Sequence, residues 1–139
     1  MAAVTSIMRV QQLLLAQADN ALRPFNLTFA RYEVLMLLSF SSRGSLPLGL
    51  VGERLQVNPA SVTNAIDRLE TAALVRREPN PLDGRGTLAA ITDTGRELAA
   101  QATLTMNEDV FGAFGLSEGA LGEIVSLLRE LRRAAGDFG

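Results

Sequence analysis

Val4, Ile7, Met8, Leu14, Leu15, Ala18 and Leu22 recur at helical spacing, so residues 3–22 are expected to form an amphipathic helix that Pro24 ends. Thr28 is placed to cap a second helix over about 29–41, with Val34, Leu35, Leu37 and Leu38 turned inward. The stretch SSRGSLP reads as a loop from its Ser, Gly and Pro content. A short helix follows over LGLVGERL, packing Leu48, Val51 and Leu55. Asn58 then caps another helix, with Pro59 at its first position, where a missing N–H costs nothing. Val62, Ile66, Leu69 and Ala73 form its inward stripe, while Ala60, Ser61, Asn64, Asp67, Arg68 and Thr71 face outward. A helix, a three-residue turn and a second helix with a small polar leading edge is the helix-turn-helix layout.

LVRRE and TLAAI read as two short strands around PNPLDGRG, giving an antiparallel hairpin directly after that helix. The DGRG stretch, Asp83 to Gly86, is expected at the hairpin's tip, so the lobe reads as a winged helix-turn-helix. Thr92 or Asp93 caps a long helix over about 93–112, interrupted near FGAFG. Ser117 caps a last helix with the stripe Leu121, Ile124, Val125, Leu128 and Leu131, and arginines in its final turns complement the helix dipole. The fold class is therefore mainly α with a small β-hairpin wing (α+β), in one domain over 1–139. Within it, residues 26–96 form the winged lobe, and 1–25 with 97–139 supply flanking helices. Those terminal helices are too apolar along one face for a small monomer to bury, so they are expected to be dimerisation helices that pack against a second copy of the chain.

Composition narrows the chemistry. The 139 residues are 47% hydrophobic with a net charge of −2, as in ordinary globular proteins. There is no cysteine and no histidine, which removes thiol chemistry and the commonest metal ligand and general base. Carboxylates alone remain for acid–base work. Asp67 with Glu70, and Glu108 with Asp109, sit on helices with no partner constellation, so no enzyme, cofactor or metal site is expected. No apolar run approaches the roughly 20 residues of a membrane span, and no signal segment opens the chain, so a soluble cytoplasmic protein is expected. All 13 basic residues are arginine, whose rigid donor fork suits phosphate and guanine edges.

LVGERLQVNPASVTNAIDRLETAALVRR followed by DGRGTLAAITDTG resembles the MarR family of bacterial transcriptional regulators. That family's wing signature is Asp-x-Arg, then an aliphatic–Thr pair, then Gly three residues after the Thr. Asp83, Arg85, Ile91, Thr92 and Gly95 fit it at every spacing. Two positions depart: Ala73 stands where the family usually has glycine, and Gly86 after the wing arginine is less usual and is expected to loosen the tip. The resemblance implies a homodimer on a pseudo-palindromic double-stranded DNA operator, most commonly a repressor. It also implies release by a small aromatic or phenolic effector wedged between the dimerisation helices and the DNA-binding lobe.

On that reading the second helix of the motif enters a major groove about 12 Å wide. Asn64 and Ser61 reach base edges there, and Ala60 touches a thymine methyl. Arg54, Thr63, Arg68, Arg76 and Arg77 are the candidate backbone contacts. Arg85 suits a narrow minor groove, with Asp83 holding its guanidinium in one orientation. Met8, Gln12, Tyr32 and Met36 are the candidate lining of an effector pocket. The alternative function is a winged-helix protein-interaction module without DNA binding.

Overall fold

Pro24 and Asn26 turn the chain out of its first helix. In the computed structural model, which describes residues 1–138, α1 (Ala2–Leu22) passes into a single 3-10 turn at Arg23–Phe25. Pro24 suits the start of that turn, where its missing N–H forfeits no acceptor. Asn26 follows at φ 55° with its N–H on the Arg23 carbonyl, a left-handed geometry that asparagine tolerates. Thr28 then caps α2 (Phe29–Phe40), its hydroxyl accepting from the Arg31 N–H at 3.3 Å.

The helix-turn-helix follows as expected. α3 (Leu48–Leu55) and α4 (Pro59–Thr71) are joined by Gln56–Asn58, and Asn58 Oδ1 accepts the Ser61 N–H at 2.9 Å. Two strands, β2 (Val75–Asn80) and β3 (Asp83–Ile91), form the wing, and α5 (Asp93–Met106) begins at Thr92. A π-helical turn at Asn107–Phe111 ends α5, and Ser117 caps α6 (Glu118–Ala134).

One strand was not legible locally. SSRGSLP, expected as a loop, contains β1 (Ser45–Pro47), which pairs antiparallel with β3 through Ser45↔Ala90, Leu46↔Ala89 and Pro47↔Leu88. β3 is thus the central strand of a sheet ordered β1-β3-β2. Three residues ending in proline carry no alternation of their own, and the pairing that makes them a strand comes from a distant segment.

The core gathers Leu22 from α1, Leu35 and Leu38 from α2, Val51 from α3, Ile66 and Leu69 from α4, Val75 from β2 and Met106 from α5, all essentially without solvent exposure. Burying each such side chain contributes roughly 1.5–3 kcal/mol. Leu37 and Met36 are half-buried against this cluster, and Tyr32 is part of it. The terminal stripes behave differently. Of the α1 face only Ala18 and Leu22 are buried and Leu14 half-buried, and α6 has no buried residue. Among the described residues, the first half of the α1 face and most of the α6 face are left uncovered.

Ala73 is not part of the inward stripe of α4. It is exposed, lies past the helix end, and sits at φ 60°. Its N–H bonds the Glu70 carbonyl and the Leu74 N–H bonds the Leu69 carbonyl, both at 2.9 Å. This is the Schellman arrangement, in which the position taken by Ala73 normally falls to glycine because a Cβ is strained there. Leu74, buried against Leu69, completes its hydrophobic contact. Ala73→Gly is expected to stabilise the folded protein by about 0.5–1 kcal/mol, the relieved strain exceeding the added chain entropy. Urea unfolding at fixed protein concentration measures it, and an unchanged midpoint with an unchanged slope would contradict it.

Candidate nucleic-acid interface

α4 presents two unlike faces. Val62, Ile66 and Leu69 are buried, while Ala60, Ser61, Thr63 and Asn64 are exposed on the first two turns. Thr63 and Asn64 have no side-chain hydrogen bond among the described residues, so their polar groups are free for an outside partner. Further along, the polar face is occupied internally. Arg77 of β2 places Nη2 on Asp67 Oδ1 at 2.5 Å and Nη1 on Glu70 Oε1 at 2.7 Å, and its backbone N–H reaches Glu70 Oε2 at 3.2 Å. The charge-assisted bond to Asp67 raises the Arg77 pKa above its ordinary value, with Glu70 adding to it and partial desolvation opposing it.

Arg77, expected at the DNA backbone, is a clamp between wing and helix in the single chain. The spacing of Asp67 and Glu70 on one face, followed by an arginine pair just past the turn, was the signal for it. Arg76 is exposed and pairs with Glu78 at 2.6 Å on the same strand. Arg54 is exposed in the last turn of α3. Arg68 lines a cleft beside the end of α1 and the start of α2.

The wing corrects the expected tip. Pro81 and Leu82 make the turn, and DGRG lies at the start of β3. Pairing runs Asn80↔Asp83 and then Pro79↔Thr87, so Gly84, Arg85 and Gly86 oppose nothing and bulge from the ladder. Arg85 is exposed on that bulge. Asp83 does not hold its guanidinium. Asp83 Oδ1 instead accepts the Arg85 backbone N–H at 3.1 Å, shaping the main chain two residues on. Gly86 is also no source of looseness, because a Cβ there would lie 3.2 Å from Asp83 Oδ2 and 3.3 Å from Asn80 Cβ. The bulge closes tightly over those two side chains.

The wing's base is knotted to α4. Thr92 Oγ1 donates to the Ala73 carbonyl at 2.7 Å and accepts the Gly95 N–H at 3.0 Å, while the Thr92 N–H bonds the Leu74 carbonyl at 3.1 Å. A Cβ on Gly95 would collide with the Leu74 carbonyl oxygen and lie 2.9 Å from Ile91 Cγ1. The bare glycine lets α5 start against the turn that ends α4.

The candidate effector residues do not assemble. Met8 and Gln12 are exposed on α1. Tyr32 is buried with its hydroxyl 2.7 Å from Thr103 Oγ1, and Met36 Sδ lies 3.6 Å from that same oxygen. Two belong to an open helix face and two to the packed core. Among the described residues no group of His, Cys, Asp and Glu could hold a metal, and no helix is long and apolar enough to cross a membrane.

Residues 25–86 match the family model for the MarR family. The structure superposes on Sco5413, a MarR family transcriptional regulator from Streptomyces coelicolor, with a TM-score of 0.92 and 53% identity, covering 99% of this chain and 96% of that one. This chain belongs to the MarR family. It is similar as well to Sco3205, a MarR family transcriptional regulator of the same organism solved in complex with DNA, at TM-score 0.83 and 25% identity over 96% of this chain and 85% of that one. YhbI of Bacillus subtilis, an uncharacterized HTH-type transcriptional regulator, is 30% identical over 120 residues, 86% of this chain and 73% of that protein. The family consists of transcriptional regulators and not enzymes.

Two parts of the MarR wing signature are thereby separated in space. Asp83 and Arg85 form the bulge, whereas Thr92 and Gly95 form the knot at its base. Gly95→Ala is expected to destabilise this MarR protein by about 1–3 kcal/mol through overpacking against the Leu74 carbonyl, read by thermal or urea unfolding. Arg77→Ala is expected to cost on the order of 1 kcal/mol locally, seen as roughly fivefold faster amide exchange at residue 77. Unchanged exchange there would mean that the clamp contributes nothing.

Proposed function

We propose that two copies of this chain pair through their first and last helices and bind a pseudo-palindromic stretch of double-stranded DNA, one α4 per half-site. The observation that carries this reading is the N-terminal half of α4, which is capped, exposed, small and polar, with Thr63 and Asn64 unpartnered, on a helix anchored from behind by Val62, Ile66 and Leu69. A helix presented in that way fits the major groove, where Asn64 pairs bidentately with adenine, Ser61 bonds a base edge or phosphate, and Ala60 packs on a thymine methyl. Arg85, carried outward on its bulge, enters the adjoining minor groove, whose negative potential is strongest where it is narrow. Asp83 fixes the backbone that carries it. Arg54, Thr63 and Arg76 are the proposed phosphate contacts, which set register and salt dependence.

The pairing of two chains is supported by the uncovered apolar surface. Val4, Ile7, Val10 and Leu13 on α1 and Ile124, Val125, Leu128 and Leu131 on α6 are all exposed in the single chain. A symmetric interface lets both faces leave water at once. Repression by occupancy of the operator is the proposed mode, with the cytoplasm as the working compartment.

Gel-shift titration against fragments selected from genomic DNA tests the DNA reading. Arg85→Ala is expected to weaken binding markedly while the dimer stays folded, and Asp83→Ala to do so less. Asn64→Ala is expected to lose about 1–3 kcal/mol, confined to one base-pair position per half-site. Unchanged affinity for Arg85→Ala removes the wing contact, and an affinity indifferent to salt favours a protein-interaction module instead. Leu128→Glu is expected to halve the mass seen by light scattering, and a wild-type mass of one chain at micromolar concentration would overturn the dimer.

A further inference from the structure

Ser61, Asn64 and Arg68 stand at i, i+3 and i+7 on α4, so they lie along one line of the helix, neighbours about 5–6 Å apart. The first two are the side chains proposed to meet DNA, and Arg68 continues their line into the far half of the helix. Two arginines from elsewhere in the chain join it there. Arg68 lines a cleft together with Arg23, from the 3-10 turn after α1, and Arg31, from the first turn of α2. Arg23 and Arg68 are exposed and Arg31 is half-buried. None of the three has a carboxylate partner among the described residues. Arg23 reaches only the neutral Asn20 Oδ1, at 3.1 Å. Asp19, the one carboxylate in the lining, accepts the Phe29 N–H at 2.7 Å. Asp67 and Glu70, which flank Arg68 in sequence, are both engaged by Arg77.

Three like charges gathered without counterions favour an anion among them, and the guanidinium fork matches phosphate oxygens. The rest of the lining offers an anion's organic body little to rest on. Leu27, Leu69 and Leu74 are 4%, 1% and 6% exposed, so they belong to the core and leave almost no apolar surface open in the cleft. What stands free is a row of cations in line with the residues that face DNA. A duplex carries about one phosphate charge per 1.7 Å of its axis, both strands counted, and those phosphates border the groove that α4 is proposed to enter.

We propose that Arg23, Arg31 and Arg68 together grip the DNA backbone at the edge of that major groove, so that the end of α1 and the start of α2 join the DNA interface. The grip rests on the operator reading and extends it beyond the helix-turn-helix and the wing. It also gives α1 two tasks, the proposed pairing with a second copy through its first half and a hold on phosphate at its end. The distance between the two grips of a dimer is then set by the same helix that joins the chains.

Duplex affinity of the full chain, measured against salt on fragments selected from genomic DNA, tests it. Each neutralised phosphate adds about 0.9 to the slope of log affinity on log salt. Arg23→Gln/Arg31→Gln is expected to lower that slope by about 2 per bound chain and to weaken binding alike on operators that differ at single base pairs. Arg31→Gln alone is expected to lower it by about 1 and replaces the double variant should that one melt early. Arg23→Lys/Arg31→Lys is expected to keep the slope, because lysine keeps the charge. A Gln variant with the wild-type slope overturns the grip while the operator reading stands, whereas a wild type that binds no duplex overturns both. A Lys variant that loses as much slope as the Gln variant assigns the loss to folding and overturns the grip. A loss confined to particular base pairs makes these arginines base readers and overturns the backbone assignment. Saturable binding of inorganic phosphate to the free protein, abolished in a Gln variant whose duplex slope is unchanged, makes the cleft a site for free anions and overturns it as well.

Discussion

The position of the wing depends on one threonine. Thr92 donates its hydroxyl proton to the turn after α4 and receives the Gly95 N–H, in the first turn of α5, on the same oxygen, while its own N–H closes on Leu74. A hydroxyl is the one small side-chain group that can donate and accept at a single atom, so it can join two chain segments that both approach it closely. Gly95 permits the approach by having no Cβ, and Ala73 accepts a strained φ so that the Leu74 carbonyl points at the junction. The end of α4, the wing base and α5 are therefore joined at one point.

From that base outward the wing is held by fewer side-chain contacts. Arg77 ties β2 to Asp67 and Glu70 one turn above the knot, which also offsets one of the two negative charges on that face of α4. Uncompensated, those carboxylates would oppose the approach of phosphates to the same helix. Beyond the clamp, the ladder loses its pairing at Gly84, Arg85 and Gly86, and only the Asp83 carboxylate and the packing of Gly86 on Asn80 order the main chain. The side chain proposed to probe the minor groove is thus left exposed and without an internal partner among the described residues, on a backbone that Asp83 holds by its N–H.

Helix caps and apolar periodicity made most of the fold legible. Thr28, Asn58 and Ser117 each cap where their spacing implies, because capping is a local matter of one side chain and the N–H groups three residues on. β1 escaped notice because Ser45–Pro47 acquires its identity from β3, and no local pattern encodes a partner so distant. Periodicity alone does not say where a helix stops, so Ala73 fits the α4 stripe in the sequence yet lies past the helix end. The same limit applies to charge. The family signature made Asp83 and Arg85 look like an ion pair, yet a carboxylate two residues back satisfies the nearer backbone N–H first. The arginine cleft was invisible for another reason, since Arg23, Arg31 and Arg68 converge only after three helices have packed.

Net charge is a poor guide to such a molecule, because its electrostatics are local. Asp67 and Glu70 are spent on Arg77, Glu78 on Arg76, Asp19 and Asp83 on backbone N–H groups, and Asp137 on Arg132. Each of these carboxylates does internal work at short range. Arg85 on the wing and Arg23, Arg31 and Arg68 in the cleft are left without acidic partners among the described residues. At physiological salt the screening length is about 8 Å, so each such arginine acts mainly on what lies within that distance of it. An acidic chain can thereby offer unpaired cationic side chains on its wing and in a cleft beside α4, wherever its carboxylates are engaged elsewhere.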